Sequence, residues 1–222
     1  MALRHEWKHR IDTAGLLALR ARLGAVLQRD PHALGGSYQV RSLYFDNLAD
    51  KALREKLESV NHREKFRLRF YNGDLSLLVL EKKTKTNSLC GKAQTPLSVE
   101  EARALLEGRH QELGASSPLL GELRRKMGSQ GLRPKAIVEY TREPFLYGPG
   151  NVRVTLDYNI RTALSPADFL DPGCVTLPAA DAPVILEVKW DEFLPDLVRD
   201  LVQLPGTRTS AFSKYAACRL YG

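Results

Sequence analysis

The sequence predicts an α+β fold dominated by antiparallel strands, in which helices cover one face of a sheet able to close into a barrel with a charged interior. Three observations carry that prediction. The run Arg63-Glu64-Lys65-Phe66-Arg67-Leu68-Arg69-Phe70 sets four cations at alternate positions, and alternate residues of a strand share one face. Asn72-Gly73 then supplies a tight hairpin turn into a second segment of the same kind. The alternation recurs, with carboxylates as well as cations on the polar face, in at least six candidate strands. A single such strand is ordinary for a half-exposed sheet; six of them describe a shared charged surface.

Taken in order, Leu3 to Ile11 reads as a short strand with Glu6, Lys8 and Arg10 on one face. Asp12 or Thr13 caps a helix running to about Gln28, with a stripe of Leu16, Leu17, Leu19, Leu23 and Val26. Asp30-Pro31 and Gly35-Gly36 break the chain before a strand at Tyr38 to Phe45. A helical segment from Asp50 to Glu58 precedes the cationic strand, Arg63 to Tyr71. Leu75 to Lys85 returns across the turn, and Asn87 to Leu97 makes a further strand. Ser98 with Glu101 is a capping-box signature for a helix through Leu106. Pro118 to Gln130 is helical. Lys135 to Tyr147 and Asn151 to Ile160 form a long hairpin around Gly148-Pro149-Gly150. A Pro/Gly/Ala-rich loop, Pro172 to Pro183, leads to a strand at Val184 to Trp190, and helices at Pro195 to Leu204 and Phe212 to Tyr221 close the chain. No repeat, low-complexity tract or linker divides these elements, so residues 1–222 are expected to form one domain.

Composition narrows the function. The 222 residues are 43% hydrophobic and 27% charged, which is ordinary for a soluble globular chain. A net charge of +7 and a pI near 9.4 point to an anionic partner. Nucleic acid is disfavoured, because the basic residues are interleaved with carboxylates and no platform of exposed aromatics is evident. Cys90, Cys174 and Cys218 lack zinc-ligand spacing and read as free thiols of a reducing compartment. The N-terminus has no apolar core of signal-peptide length and no segment reaches a transmembrane span, so the expected location is cytoplasmic. The five histidines are dispersed and none is assigned a catalytic role.

The polar faces define the candidate site. Glu6 shares a face with Lys8, Glu81 with Lys83 and Lys85, and Glu187 with Lys189, while Tyr140 and Arg142 align beside Arg153, Thr155 and Asp157. Adjacent cations repel unless an anion lies between them, and an unpaired ion in a lumen costs several kcal/mol of desolvation. Such a surface fits phosphate oxygens, which Arg grips bidentately. Glu6, Glu81, Asp157 and Glu187 are candidate ligands of a divalent metal that prefers oxygen, Mg²⁺ or Mn²⁺.

With these residues in place, the chain resembles the VTC domain, the polyphosphate polymerase module of the vacuolar transporter chaperone complex, within the triphosphate tunnel metalloenzyme superfamily. The resemblance rests on Ser42-Leu43-Tyr44-Phe45-Asp46-Asn47, Arg67-Leu68-Arg69-Phe70-Tyr71, Leu80-Glu81-Lys82-Lys83-Thr84, Ile185-Leu186-Glu187-Val188-Lys189 and Phe212-Ser213-Lys214-Tyr215. It implies an antiparallel eight-stranded tunnel with a charged lumen that holds ATP and growing polyphosphate. Lys8, Arg67, Arg69, Lys83 and Arg142 match phosphate-binding positions at which transfer occurs, and Lys92 matches a further tunnel lysine. Tyr140 sits at a tunnel tyrosine, Glu187 at the metal-binding glutamate, and Ser213 and Lys214 at a pair contributed by the C-terminal helix. Arg153 and Lys189, on the same charged faces, are grouped with the phosphate and nucleotide contacts. The superfamily's first-strand Glu-x-Glu-x-Lys reads Arg4-His5-Glu6-Trp7-Lys8 here, with one carboxylate missing.

The resemblance therefore implies a manganese- or magnesium-dependent transferase moving the ATP γ-phosphate onto polyphosphate. A tripolyphosphate or nucleoside triphosphate hydrolase and a non-catalytic polyphosphate-binding module stay open as alternatives. A membrane partner protein and the oligomeric state are likewise open.

Overall fold

The computed structural model describes residues 4–87, 89–114, 116–179, 183–205 and 212–220; Leu3 and Tyr221, at the ends of two expected elements, lie outside them. Strand β1 (His5–Ile11) runs into α1 (Thr13–Val26), whose N-cap Asp12 accepts from Gly15 N. A two-residue strand, β2 (Gln28–Arg29), stands where the helix was expected to continue. β3 (Tyr38–Asp46) and α2 (Lys51–Leu57) precede the cationic strand β4 (His62–Tyr71). Asn72 and Gly73 both take positive φ, 51° and 74°, as a tight hairpin turn requires, and β5 (Asp74–Thr86) returns along β4 with one register shift between Arg69 and Tyr71.

β6 (Leu89–Pro96) leads to α3 (Val99–Leu106), which carries the complete Ser98/Glu101 capping box, and to α4 (Pro118–Gln130). The long hairpin is β7 (Arg133–Tyr147) and β8 (Val152–Ala163). The loop read as irregular contains a short strand, β9 (Thr176–Pro178), paired to the end of β8. β10 (Val184–Trp190), α5 (Asp196–Leu201) and α6 (Lys214–Leu220) complete the described chain. Among the described residues no helix is long and apolar enough to cross a membrane.

All pairings are antiparallel, and eight strands follow the path β1-β10-β8-β7-β3-β4-β5-β6, with β2 and β9 as side pairs that bring the sheet to ten. The edge strands meet at one bridge, Arg4 with Cys90, which exchange two backbone hydrogen bonds of 3.1 Å. The expected barrel is thus present as a curled sheet fastened at one point.

Both faces of the curl are used. Phe66, Leu68 and Phe70 point outward under α3 and α4, and α1 and α5 cover Val154, Leu156, Leu186 and Val188 on the other side. A third cluster adds an apolar patch to the charged interior. Val40, Tyr44, Val138, Tyr140 and Ile185 point inward and pack against Tyr215, Ala216 and Cys218 of α6. The C-terminal helix therefore seats on the inner face along β3, β7 and β8, because small apolar residues there offer it a dry surface. Charge lines the rest of the inner surface, and the Arg142–Asp157 pair of β7 and β8 lies beside α6 itself.

Candidate functional site

The inner wall is built by register. Pairings Lys8–Glu187 and Glu6–Lys189 join β1 to β10, Thr155–Glu187 joins β10 to β8, and Arg142–Asp157 joins β8 to β7. On the other side of the curl, Ser42 faces Arg69 and Tyr44 faces Arg67, while Arg67 faces Glu81 and Lys83 faces Lys92. Period-two alternation thus delivers every one of these side chains to the same surface.

Three ion-pair groups result. In the first, Glu6 binds Lys8 at 2.6 Å, Lys83 at 3.0 Å and Lys189 at 3.5 Å, while Glu187 binds Lys189 at 2.6 Å and Lys8 at 3.3 Å. The Glu6–Lys83 contact reaches across the loosely closed seam between β1 and β6 to the next strand, β5. In the second, Glu81 meets Arg67 at 2.5 Å, Lys92 at 2.6 Å and Arg69 at 3.7 Å. Arg69 also donates to Ser42 Oγ and Tyr140 Oη. In the third, Arg142 grips both carboxylate oxygens of Asp157 at 2.7 Å and Lys214 of α6 adds a contact of 2.6 Å.

Electrostatics follow from this crowding. Burial and the facing Glu187 push the Glu6 carboxyl up, but Lys83, Lys8 and Lys189 outweigh them and hold it well below the usual range. Burial likewise raises Glu81, and Arg67, Arg69 and Lys92 reverse it. Each carboxylate is therefore ionised at neutral pH. Nine cations (Lys8, Lys65, Arg67, Arg69, Lys83, Lys92, Arg142, Lys189 and Lys214) face four carboxylates (Glu6, Glu81, Asp157 and Glu187). A wall with that excess attracts a multiply charged anion.

The sequence-derived candidates divide by position. Lys8, Arg67, Arg69, Lys83, Lys92, Tyr140, Arg142, Lys189 and Lys214 lie on this wall. Ser213 is at its edge, where its hydroxyl accepts from Ala216 N and caps α6. Arg153 is drawn to Asp30 at 3.0 Å and to Tyr38 Oη at 2.8 Å. Of the four candidate metal ligands, Glu6 and Glu187 are brought together, while Glu81 and Asp157 belong to separate groups; among the described residues no three His, Cys, Asp or Glu side chains form a metal cluster. Glu6 and Glu187 are hard oxygen donors of a kind that suits Mg²⁺ or Mn²⁺ completed by phosphate oxygens.

Tyr44 escaped assignment, while Lys65, expected with Arg63 to steer the polyanion at the strand entrance or to pair with nearby acids, lies beside Tyr44 instead. Tyr44 accepts from Arg67 Nη1 at 2.8 Å and stacks on Tyr215 with centroids 5.0 Å apart, and the Lys65 ammonium lies 4.9 Å from the Tyr44 ring centre. Burial raises the Tyr44 phenol, yet Arg67, Lys65 and Arg69 together bring it down to about 7. Burial lowers Lys65 to about 8, with Lys83 and Arg67 adding to the effect against the opposing Tyr44. The signal was available: Tyr44 shares its face with Ser42, and Lys65 with Arg67.

The family model described as the VTC domain matches residues 3–221. No curated protein matches the chain. Among solved structures, the chain is similar to HpAC1 from Hippeastrum, a candidate adenylyl cyclase reported to have a dominant triphosphatase activity, at 15% identity and a TM-score of 0.59, over 99% of this chain and 96% of that one. A candidate adenylate cyclase from Bacillus halodurans matches at 16% identity and a TM-score of 0.53, covering 85% of this chain and 80% of its own. The PH1012 protein from Pyrococcus horikoshii OT3 matches at 12% identity and a TM-score of 0.53, covering 95% and 96%. These likenesses establish a shared fold.

Proposed function

The chain belongs to the VTC domain family of the triphosphate tunnel metalloenzyme superfamily, and from that membership and its cationic wall we propose that it is a polyphosphate polymerase, moving the γ-phosphate of ATP onto inorganic polyphosphate. The observation that carries the reading is the excess of inward cations clustered around Glu81, Glu6 and Glu187. Arg67, Arg69 and Arg142 grip and align the phosphates, and Lys8, Lys83, Lys92 and Lys189 spread charge compensation along the chain. The terminal oxygen of the acceptor polyphosphate forms the new P–O bond to the γ-phosphorus. The bond from that phosphorus to the β–γ bridging oxygen breaks, and ADP leaves with the electron pair. No protein nucleophile is required, because phosphoryl transfer rests on positioning and electrostatics. Glu6 and Glu187 are the residues that would hold Mg²⁺ or Mn²⁺, whose chemistry is neutralisation of charge on the phosphates.

Tyr44 and Lys65 make anion binding pH-dependent. In the free protein both bind protons more weakly than in water, with pKa values of about 7 and about 8. An arriving polyanion offsets the surrounding cations and raises both, so binding takes up protons. Affinity is then full below about pH 7 and falls as pH climbs, by up to roughly tenfold per unit for each group. Calorimetry at pH 8 in buffers of different ionisation heat measures the uptake directly. It is expected to shrink in Lys65→Met and in Tyr44→Phe, and equal heats in both buffers for the unaltered protein would refute this account.

A second reading, hydrolysis of tripolyphosphate with water as acceptor, draws on the adjacency of Glu6 and Glu187, which restores a two-carboxylate pair from different strands. Incubation of the purified protein with ATP and Mn²⁺, with products resolved on a gel, separates the readings. The polymerase yields ADP and a ladder of long polyphosphate. Free phosphate as the sole product supports hydrolysis, and tight polyphosphate binding without turnover supports a receptor.

A further inference from the structure

The β4–β5 ladder changes character along its length. On the inner face Arg67 stands opposite Glu81, then Lys65 opposite Lys83, then Arg63 opposite Lys85. The first couple is an ion pair and Lys83 has Glu6. The last couple is two cations in register, which destabilises a sheet unless something anionic lies between. Among the described residues Arg63 and Lys85 have no acidic group within 4.0 Å. Several part-buried cations elsewhere are matched by acids: Lys82 and Lys126 by Glu64 and Glu122, Lys135 and Arg219 by Asp50.

A third cation joins from outside the sheet. α2 hangs beside the open end of this ladder, and Lys56 is half-buried there, with Arg63, Lys8 and Lys85 near enough to oppose its charge and Glu6 a weaker opposite influence. The Arg63 guanidinium is itself steadied by the Val60 carbonyl. Along a strand, same-face residues are about 6.6 Å apart, so Arg63 and Lys85 continue outward the line of Arg67, Lys65 and Lys83. The line runs away from the Asn72-Gly73 turn and ends in solvent.

We propose that Lys56, Arg63 and Lys85 form an outer track for inorganic polyphosphate, holding phosphate units beyond those gripped inside, so that affinity grows with chain length. The inference rests on the polyphosphate reading of the lumen and adds the mouth through which the chain passes. An extended polyanion supplies the missing charge at each successive position, whereas tripolyphosphate is too short to reach it from Arg67 and Arg69.

The test is titration of tripolyphosphate and of a long-chain polyphosphate into the full chain and into K56Q/R63Q/K85Q. The variant is expected to keep tripolyphosphate affinity within about twofold and to lose on the order of tenfold for the long chain. Its long-chain affinity should also become less salt-sensitive, with a log–log slope shallower by roughly two to three. Unchanged long-chain affinity, or equal losses for both anions, would overturn the track. Should the triple variant fold poorly, R63K/K85R keeps both charges and is expected to retain long-chain preference; loss of the preference there overturns the proposal too. An unaltered protein that binds neither anion would instead overturn the reading of the lumen itself.

Discussion

Replacing Arg67 and Arg69 together with alanine is expected to lower triphosphate and polyphosphate affinity by a hundredfold to ten-thousandfold. Charge-assisted hydrogen bonds contribute about 1.5–3 kcal/mol each, so losing two such contacts removes about 3–6 kcal/mol, and each 1.4 kcal/mol is about tenfold. Both guanidiniums are enclosed, with side chains 14% and 5% exposed, so solvent screening reduces the effect little. Phosphate binding would compete with Glu81, which now occupies Arg67 at 2.5 Å.

The double variant also strips Glu81 of two partners and leaves it Lys92 alone. Because that carboxylate is 1% exposed, a stability loss of about 3 kcal/mol accompanies the binding defect. Circular dichroism separates the two effects, and R67K/R69K sharpens the comparison. Lysines keep the charge beside Glu81 but not the planar fork; affinity should fall about tenfold with the fold retained. A folded R67A/R69A protein that binds tripolyphosphate as tightly as the original removes the central support for the proposed function.

Much of this arrangement is legible in the sequence, for a specific reason. Strand alternation is a local rule, so Arg67 and Arg69 could be set opposite Phe66, Leu68 and Phe70 before any partner was known. The same holds for Glu187 and Lys189 on β10, whose bounds match the expected strand. Longer-range facts were hidden. Which carboxylate meets which cation depends on register between strands distant in sequence, such as Glu6 with Lys83. Whether Glu81 and Asp157 join a metal group with Glu187 depends on the same registers, and alternation says nothing about them. The resemblance implied that the C-terminal helix reaches the site, but the residues it seats on were hidden, because Val40, Val138 and Ile185 read simply as apolar strand residues until the helix that covers them is placed. β2 and β9 escaped because segments of two and three residues carry no period.

The second large effect is expected behind the cationic wall, at Asp46. Its carboxylate is fully buried and accepts from Asn47 N, Ala52 N and Leu53 N, at 2.9, 2.9 and 3.1 Å, and from Tyr215 Oη at 2.7 Å. Asp50, the residue in the N-cap position of α2, makes no side-chain cap; it is committed to Lys135 and Arg219. Asp46 thus performs the capping for α2 from four residues upstream while fastening α6. Asp46→Ala removes the acceptor of three backbone N–H groups and of the Tyr215 hydroxyl, at a cost of about 3–5 kcal/mol. For a chain of this size that lowers the melting temperature by roughly 6–20 °C.

Tyr215→Phe removes only the phenol link and should cost about 1–2 kcal/mol. It is nevertheless the more telling variant for function. Tyr215 neighbours Lys214 and stacks on Tyr44, so loosening it disturbs the Lys214–Asp157 contact and the surroundings of Arg67 together. Polyphosphate affinity should therefore fall in Tyr215→Phe at temperatures where the protein is fully folded, and thermal melts run with and without polyphosphate measure both quantities. An Asp46→Ala protein melting within about 2 °C of the original would show that water satisfies those donors. In that case the carboxylate is not the clasp that holds the C-terminal helix on the inner wall.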